Sequence, residues 1–305
     1  MSPVGHYLST VHNEEELVLT VADAMKCHNT ILTKCRLLHR DISVNNILVV
    51  REFEGRSVRR PVKGLLIDYD HAISIDKEFS GCATRSGTLP FMSIHNLMGH
   101  DSKRTALDDW ESLLYLICWQ ATFGINNADR KNVKADKVVA EVLKWRDGDM
   151  VDIANEKRKQ MHSLDTFKST ILAGFQDQYV LLKMVAVALY EALFQHKGCE
   201  GALLQLPQLL QLKRAVMSQG FRKHLDAIKQ PSIRNDQSMP NSPAKSKGDQ
   251  ASSKQPDSDP LVNRKLWENA IIDELLKIIK DASVLAEEFL GDTTAKQRIV
   301  ETFVQ

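Results

Sequence analysis

At 305 residues the chain has room for one large or two small domains, and 43% hydrophobic content suffices for a sizeable core. Forty Lys and Arg against thirty-nine Asp and Glu leave a net charge of +1, so no global charge draws the protein to nucleic acid or to an anionic membrane. Cys27, Cys35, Cys82, Cys118 and Cys199 lack metal-ligand spacing and are odd in number, which argues for reduced thiols in an intracellular, cytoplasmic or nuclear protein. The start, Met1 to His6, has no basic head before an apolar segment, and no stretch approaches the roughly eighteen apolar residues of a membrane span. Neither secretion nor membrane insertion is expected.

In chain order, residues 13–34 are predicted to form an amphipathic helix. Asn13 is a suitable cap, Glu14, Glu15 and Glu16 suit the positive helix end, and Leu17, Val21, Met25, His28, Ile31 and Cys35 recur at helical spacing. Cys27 and His28 are read as structural residues rather than metal ligands. A polar knot follows, His39-Arg40-Asp41-Ile42-Ser43-Val44-Asn45-Asn46, and then two apolar runs, 46–50 and 62–67, that read as a strand pair. Their connection, Arg51 to Pro61, holds Gly55 and four arginines and is read as solvated loop. Asp68 to Leu97 lacks a sustained period and suits a long, mobile segment over the site. From Leu107 to Trp119 the pattern is apolar on nearly all sides after an acidic start, which marks a buried helix. Further helices are expected at 133–146, 164–174 and 178–195, and the leucines from Leu203 to Leu212 with Val216 close the folded body near Phe221.

Between Arg222 and Leu266 there is no aromatic residue, and the tract is rich in Ser, Pro, Lys, Asn, Gln and Asp, so residues 229–262 are read as a disordered linker. Beyond it Trp267, Ile271, Leu275, Ile278, Ala282, Leu285 and Phe289 form one apolar stripe, so 263–305 is a C-terminal amphipathic helical segment. Either the stripe packs on the parent domain or residues 263–290 meet a helix partner.

The chemistry lies in the polar knot. Asp41 is a carboxylate able to accept a hydroxyl proton, and Asn46, five residues on, offers an amide oxygen to magnesium. A second metal-binding carboxylate, Asp68, ends the second strand, and a base, a metal ligand, two short strands and a second ligand is the order of a protein-kinase catalytic and metal-binding loop.

Five ordered segments carry a family resemblance. Pro3-Val4-Gly5 with the helix bearing Ala24 and His28, Leu38 to Ser43 with Asn45-Asn46-Ile47, Leu66 to Ala72, Gly87 to Met92, and Asp109-Trp110-Glu111-Ser112-Leu113 together resemble the fungal-type protein kinase family over about residues 3–225. The resemblance implies a mainly α chain (α+β in the overall family fold): a protein-kinase C-lobe, 1–228, with short β-hairpins at the catalytic loop. It implies ATP and Mg2+ as cofactors and phosphoryl transfer to a protein Ser/Thr hydroxyl. By the same resemblance Asp41 is the base, Asn46 and Asp68 hold the metal and nucleotide, Arg40 meets a phosphate on the activation segment, Thr88 fixes the base, and Asp109 supports the loop backbone at His39. The pattern also departs from wider kinase usage. Asp68-Tyr69-Asp70 stands for D-F-G, Ser43 for the lysine two residues after the base, and Ser93-Ile94-His95 for A-P-E, so the usual anchoring Glu is replaced by His95.

Only 38 residues precede His39, so the small lobe with the Gly-rich loop and strand lysine is expected to be absent, and weak or no Mg-ATP binding is expected of the chain alone. The readings are therefore a protein kinase represented by its C-lobe, a non-catalytic remnant that binds proteins, and a small-molecule phosphotransferase of the aminoglycoside or choline kinase type. Arg40 and the Gly87-Thr88 landmark speak against the last.

Overall fold

The computed structural model describes residues 5–51, 62–76, 86–99, 104–126, 137–195, 260–291 and 296. The leucine-rich stretch expected to close the body, most of the expected linker and the arginine-rich connection lie outside them. Met1–Gln205 and Ala270–Gln305 form one compact unit, and Leu206–Asn269 forms a second, whose described residues, 260–269, are helical.

The first unit is mainly helical with two small antiparallel sheets. A short strand β1 (Gly5–Tyr7) leads to helix α1 (Glu14–Cys35), which starts where expected: the Asn13 side chain accepts the Glu16 N–H, and three glutamates fill the first turn. Arg36, left-handed at φ 57°, ends the helix and turns the chain into β2 (Leu37–Leu38). After the polar loop, β3 (Ile47–Arg51) and β4 (Val62–Leu66) pair with Ile47 opposite Leu66, and β1 joins the other edge of β3. β2 pairs with β5 (Ile73–Ser74). β1 escaped the sequence reading because three residues are too few to show a period.

Helix α1 lies on β4, and Gly64 makes the approach possible. A Cβ there would collide with the backbone carbonyl of Thr20, so any side chain would force helix and strand apart. The Gly64 N–H also reaches Asp23 Oδ2 at 3.3 Å. The segment expected to lack elements contains β5, a 3₁₀ turn at Leu89–Phe91 and α2 (Ile94–Met98), which Ser93 caps by accepting the Asn96 N–H. Such short elements are fixed by tertiary bonds rather than by periodicity.

Helix α3 (Ala106–Phe123) is the hub, buried on nearly every side, and Thr105 and Asp108 close a capping box at its start. α4 (Lys137–Leu143) packs on it within the expected 133–146 region. α5 (Met150–Gln160) was not expected, because its inward positions Ile153, Ala154, Lys157 and Gln160 are half polar and hide the amphipathic period. α6 (Leu164–Thr170) runs into a 3₁₀ turn at Leu172–Gly174. α7 (Val180–Tyr190) packs against α3 and passes into a π-helical turn, Glu191–Gln195. Trp110, Tyr115, Trp145, Phe167 and Tyr190 are fully buried, with the Phe167 and Tyr190 rings stacked at 4.5 Å.

The last helix, α8 (Pro260–Gly291), begins three residues before the predicted segment, within the stretch read as linker, and proline at its first position is a favourable start. Ile271, Leu275, Ile278, Ala282, Leu285 and Phe289 are all buried. Lys296 bonds Glu14 at 2.8 Å and Glu15 at 2.6 Å, tying the C-terminal segment to the start of α1. Among the described residues no helix is long and apolar enough to cross a membrane.

Candidate active site

The loop from His39 to Asn46 has no strand or helix to satisfy its backbone, so its N–H groups need other partners. Asp109, in the first turn of α3 and 3% exposed, supplies them. Its Oδ2 accepts the His39 N–H at 3.1 Å and its Oδ1 the Arg40 N–H at 3.0 Å. A third donor is His28 of α1, whose Nε2–H reaches Asp109 Oδ2 at 2.8 Å. A buried carboxylate is tolerable when it is hydrogen-bonded, and the helix N-terminus favours its charge. His28 is thus more than helix packing: it joins α1, α3 and the loop. In the sequence it stood out as a histidine on an otherwise apolar helix face and as part of the family resemblance, but neither signal assigned it this partner.

Within the loop, His39 is locked by two bonds. Its Nδ1 accepts the Asp41 N–H at 3.3 Å and its Nε2 faces the Ile67 carbonyl at 2.9 Å. A carbonyl only accepts, so the ring proton is on Nε2. Tyr69, in place of the usual Phe, sets its ring edge-on to His39 at 4.7 Å. Burial and then the neighbouring Cys27, whose Sγ lies 3.9 Å from the hydroxyl, push the Tyr69 phenol upward.

Asp41 is held by both flanking segments. Its Oδ1 accepts the Thr88 N–H and the Thr88 hydroxyl, each at 2.9 Å. Asn46 gives both amide hydrogens to Asp41, one to the backbone carbonyl and one to Oδ2, each at 2.9 Å. That fixes the amide's orientation and leaves Asn46 Oδ1 as an acceptor. The hairpin aligns the remaining ligand candidate: the Ile67 N–H donates to the Asn46 carbonyl at 2.9 Å, so Asp68 follows at the same end of β3 and β4 as Asn46. Its carboxylate is exposed, with the Asp70 N–H at 3.3 Å. Arg40 (φ 72°) and Asp68 (φ 63°) are both non-glycine residues in the left-handed region, so backbone strain concentrates on either side of Asp41 and Asn46.

An amide oxygen and a carboxylate are hard oxygen donors, the chemistry magnesium takes. Among the described residues no group of three or more His, Cys, Asp or Glu is placed to hold a metal by itself. Asn46 Oδ1 and the Asp68 carboxylate are the donors that would fit such an ion.

A small cavity of about 10 Å³ lies between Asp41, Thr88, Phe91 and Arg104 and the start of α3 at Asp108, Asp109 and Ser112. Burial, and then the charge of Arg40, push the Arg104 guanidinium down to about 10. Arg104 donates to the Ser86 carbonyl at 3.0 Å and to Asn96 Oδ1, bracing the start of the segment that carries Thr88. Burial likewise lowers Arg40, against the opposing pull of Asp109. Within the 68–97 segment Arg40 donates to the His71 carbonyl at 3.4 Å, and residues 77–85 of that segment lie outside the described residues.

On its far side the Thr88 segment is held by contacts that motif reading did not assign. Ile94 N–H donates to Glu111 Oε1 at 2.8 Å and Ser93 Oγ–H to Asp108 Oδ1 at 2.7 Å. Lys157, fully buried, donates to the carbonyls of Pro90 at 2.9 Å and Met92 at 2.7 Å. His95, at the position of the usual anchoring Glu, turns to Asp108 at 3.3 Å.

A histidine-anchored loop carrying a threonine-braced carboxylate, an antiparallel hairpin ending in oxygen donors and a buried Asp at the start of the central helix define a protein-kinase-like chain. Residues 1–121 match the family model described as fungal protein kinase. No curated protein matches the chain.

Proposed function

We propose that these residues form the catalytic portion of an ATP-dependent kinase acting on Ser or Thr hydroxyls of a protein, with Asp41 as the base. The observation that carries this reading is the state of the Asp41 carboxylate. A carboxylate has about four lone-pair sites. Thr88 occupies both on Oδ1 and Asn46 one on Oδ2, so the one left, on Oδ2, belongs to a group fixed in direction by three hydrogen bonds. A substrate hydroxyl placed at that lone pair would transfer its proton to Oδ2 and present its oxygen to the phosphoryl group in line.

Magnesium bound through Asn46 Oδ1 and Asp68 would draw charge from the phosphate oxygens. The chain's own part is positional. Asp109 and His28 hold the loop backbone, His39 sets the peptide of Asp41, and Thr88 orients the carboxylate. Arg40, adjacent to the base and near Arg104, keeps positive charge beside the Asp41 carboxylate.

The experiment is transfer of the terminal phosphoryl group from Mg-ATP to a Ser/Thr peptide library by the protein, with and without a kinase small lobe fused ahead of it. Asp41→Ala should lower turnover by about a hundredfold to ten-thousandfold, the range for losing a general base. Turnover unchanged by Asp41→Ala would overturn the assignment.

A further inference from the structure

Lys157 is 0% exposed and lies beyond the residues that match the family. An ammonium in such a place is costly unless its surroundings repay the loss of water, and a hydrophobic side chain of similar volume would often serve stability as well. Its neighbours therefore indicate what the charge is for. Two N–H bonds go to the carbonyls of Pro90 and Met92, which bracket Phe91. The ammonium also stands 3.8 Å from the centre of the Tyr115 ring and 5.4 Å from that of Trp145, a cation–π seat built by α3 and the turn after α4. Met92 itself packs with Leu97, Ile153 and Ala154, so the loop and α5 share a small apolar core beside the cation.

We infer that Lys157 is the positioning residue of the loop that presents the acceptor substrate to Asp41, taking over the anchoring that the resemblance assigns to a glutamate at the position of His95. The path is short. The Phe91 N–H closes on the Thr88 carbonyl at 2.8 Å to form the 3₁₀ turn, and Thr88 gives both its donors to Asp41. Holding the carbonyls on either side of Phe91 thus fixes the turn from which Thr88 reaches the base. Glu111 completes the clamp: its Oε1 accepts the Ile94 N–H and the Tyr115 hydroxyl, the latter at 2.7 Å. The Tyr115 ring is therefore fixed from one end by the same carboxylate that holds the loop. The assignment rests on reading Asp41 as the base, whereas the mechanical claim about the loop does not.

The test is amide hydrogen exchange on the full 305-residue chain, comparing wild type with Lys157→Met and Lys157→Arg. Lys157→Met should quicken exchange at Phe91, Met92 and Ile94 about tenfold or more while α3 amides keep wild-type rates, and Lys157→Arg should restore most of the protection. In a phosphotransfer assay Lys157→Met should raise the KM for the acceptor peptide about tenfold and leave the KM for ATP unchanged. Unchanged exchange at the three amides would overturn the inference. So would quickening shared equally by α3, or loss of folding in both variants, since either would mark Lys157 as general core. If the wild type transfers no phosphate, which weak Mg-ATP binding alone would produce, the exchange data decide by themselves whether Lys157 holds the loop.

Discussion

Two irregular segments meet at Asp41, and a pin of buried charge, opposite in sign for the two, gathers inward-facing backbone groups of each. The loop from His39 turns its N–H groups inward, and they gather on the carboxylate of Asp109. The turn at Pro90 to Met92 turns its carbonyls inward, and they gather on the ammonium of Lys157. The sign of each pin follows from which backbone group faces the core, because an irregular segment cannot pair its own groups and a buried polar atom left alone costs about 1–3 kcal/mol. The two pins differ in origin. Asp109 stands inside a recognisable motif at the start of α3, whereas Lys157 projects from a helix whose sequence gives no motif at all.

Removing the negative pin should have the largest effect on stability. Asp109→Ala strands two backbone N–H groups and the His28 ring in a dry site, and losing one member of a buried charged network costs about 3–5 kcal/mol. Asp109→Asn keeps the shape and one acceptor and should cost about 1–3 kcal/mol. Urea unfolding midpoints measure both. Equal loss in the two variants would mean that side-chain volume matters at this position rather than acceptance of the three donors, and the comparison of pins would fall.

A contact without charge sharpens the comparison. Gly64 lies against the Thr20 backbone, so Gly64→Ala forces α1 and β4 apart at a point where neither partner is a flexible side chain. Overpacking of this kind costs about 1–3 kcal/mol. Because α1 carries His28, the displacement should also weaken the third bond to Asp109. The nitrogen chemical shifts of the His28 ring should therefore move in Gly64→Ala, and ring signals identical to wild type would show that the steric contact and the charged pin are independent.

These contacts mark where the sequence was readable. α1 was legible because Asn13, three glutamates and a regular apolar face all agree, and α3 because it is apolar on almost every side. The hairpin and the loop were legible from spacing alone, since Asp41, Asn46 and Asp68 stand close in the chain and β3 and β4 are adjacent. What stayed hidden depends on distant pairing. His28 and Asp109 are 81 positions apart, and nothing local marks a helix histidine as the partner of a later carboxylate. α5 was hidden for a related reason: Lys157 and Gln160 point inward, and only the Pro90 and Met92 carbonyls in one case and the Trp145 indole N–H in the other, 2.6 Å from Gln160 Oε1, make that burial tolerable.

The smallest predicted effect separates the positive pin from its acidic neighbour. Asp108 accepts Ser93 Oγ–H, the Thr105 N–H and a contact from His95, so it ties the loop to α3 close to where Lys157 ties it to α5. Burial pushes its carboxyl up, but the bonds from His95, Thr105 and Ser93 outweigh burial and leave it below the ordinary 3.8. In the unfolded chain Asp108 binds its proton more tightly than in the folded one, so its contribution to stability is present above pH 3.8 and is lost as pH falls through the lower folded value. Asp108→Asn should therefore cost about 1 kcal/mol at neutral pH, the worth of a lost hydrogen bond, and the gap from wild type should close as the solution is acidified below 3.8. For Lys157→Met the linked window lies instead between the lowered folded value of the amine, which burial pushes well below the ordinary 10.5, and 10.5 itself. Urea midpoints of the three proteins from pH 7 to pH 3 distinguish the two ties. A gap for Asp108→Asn that is constant across that range would mean that its carboxylate charge contributes nothing, leaving Lys157 and Glu111 as the charges that hold the loop.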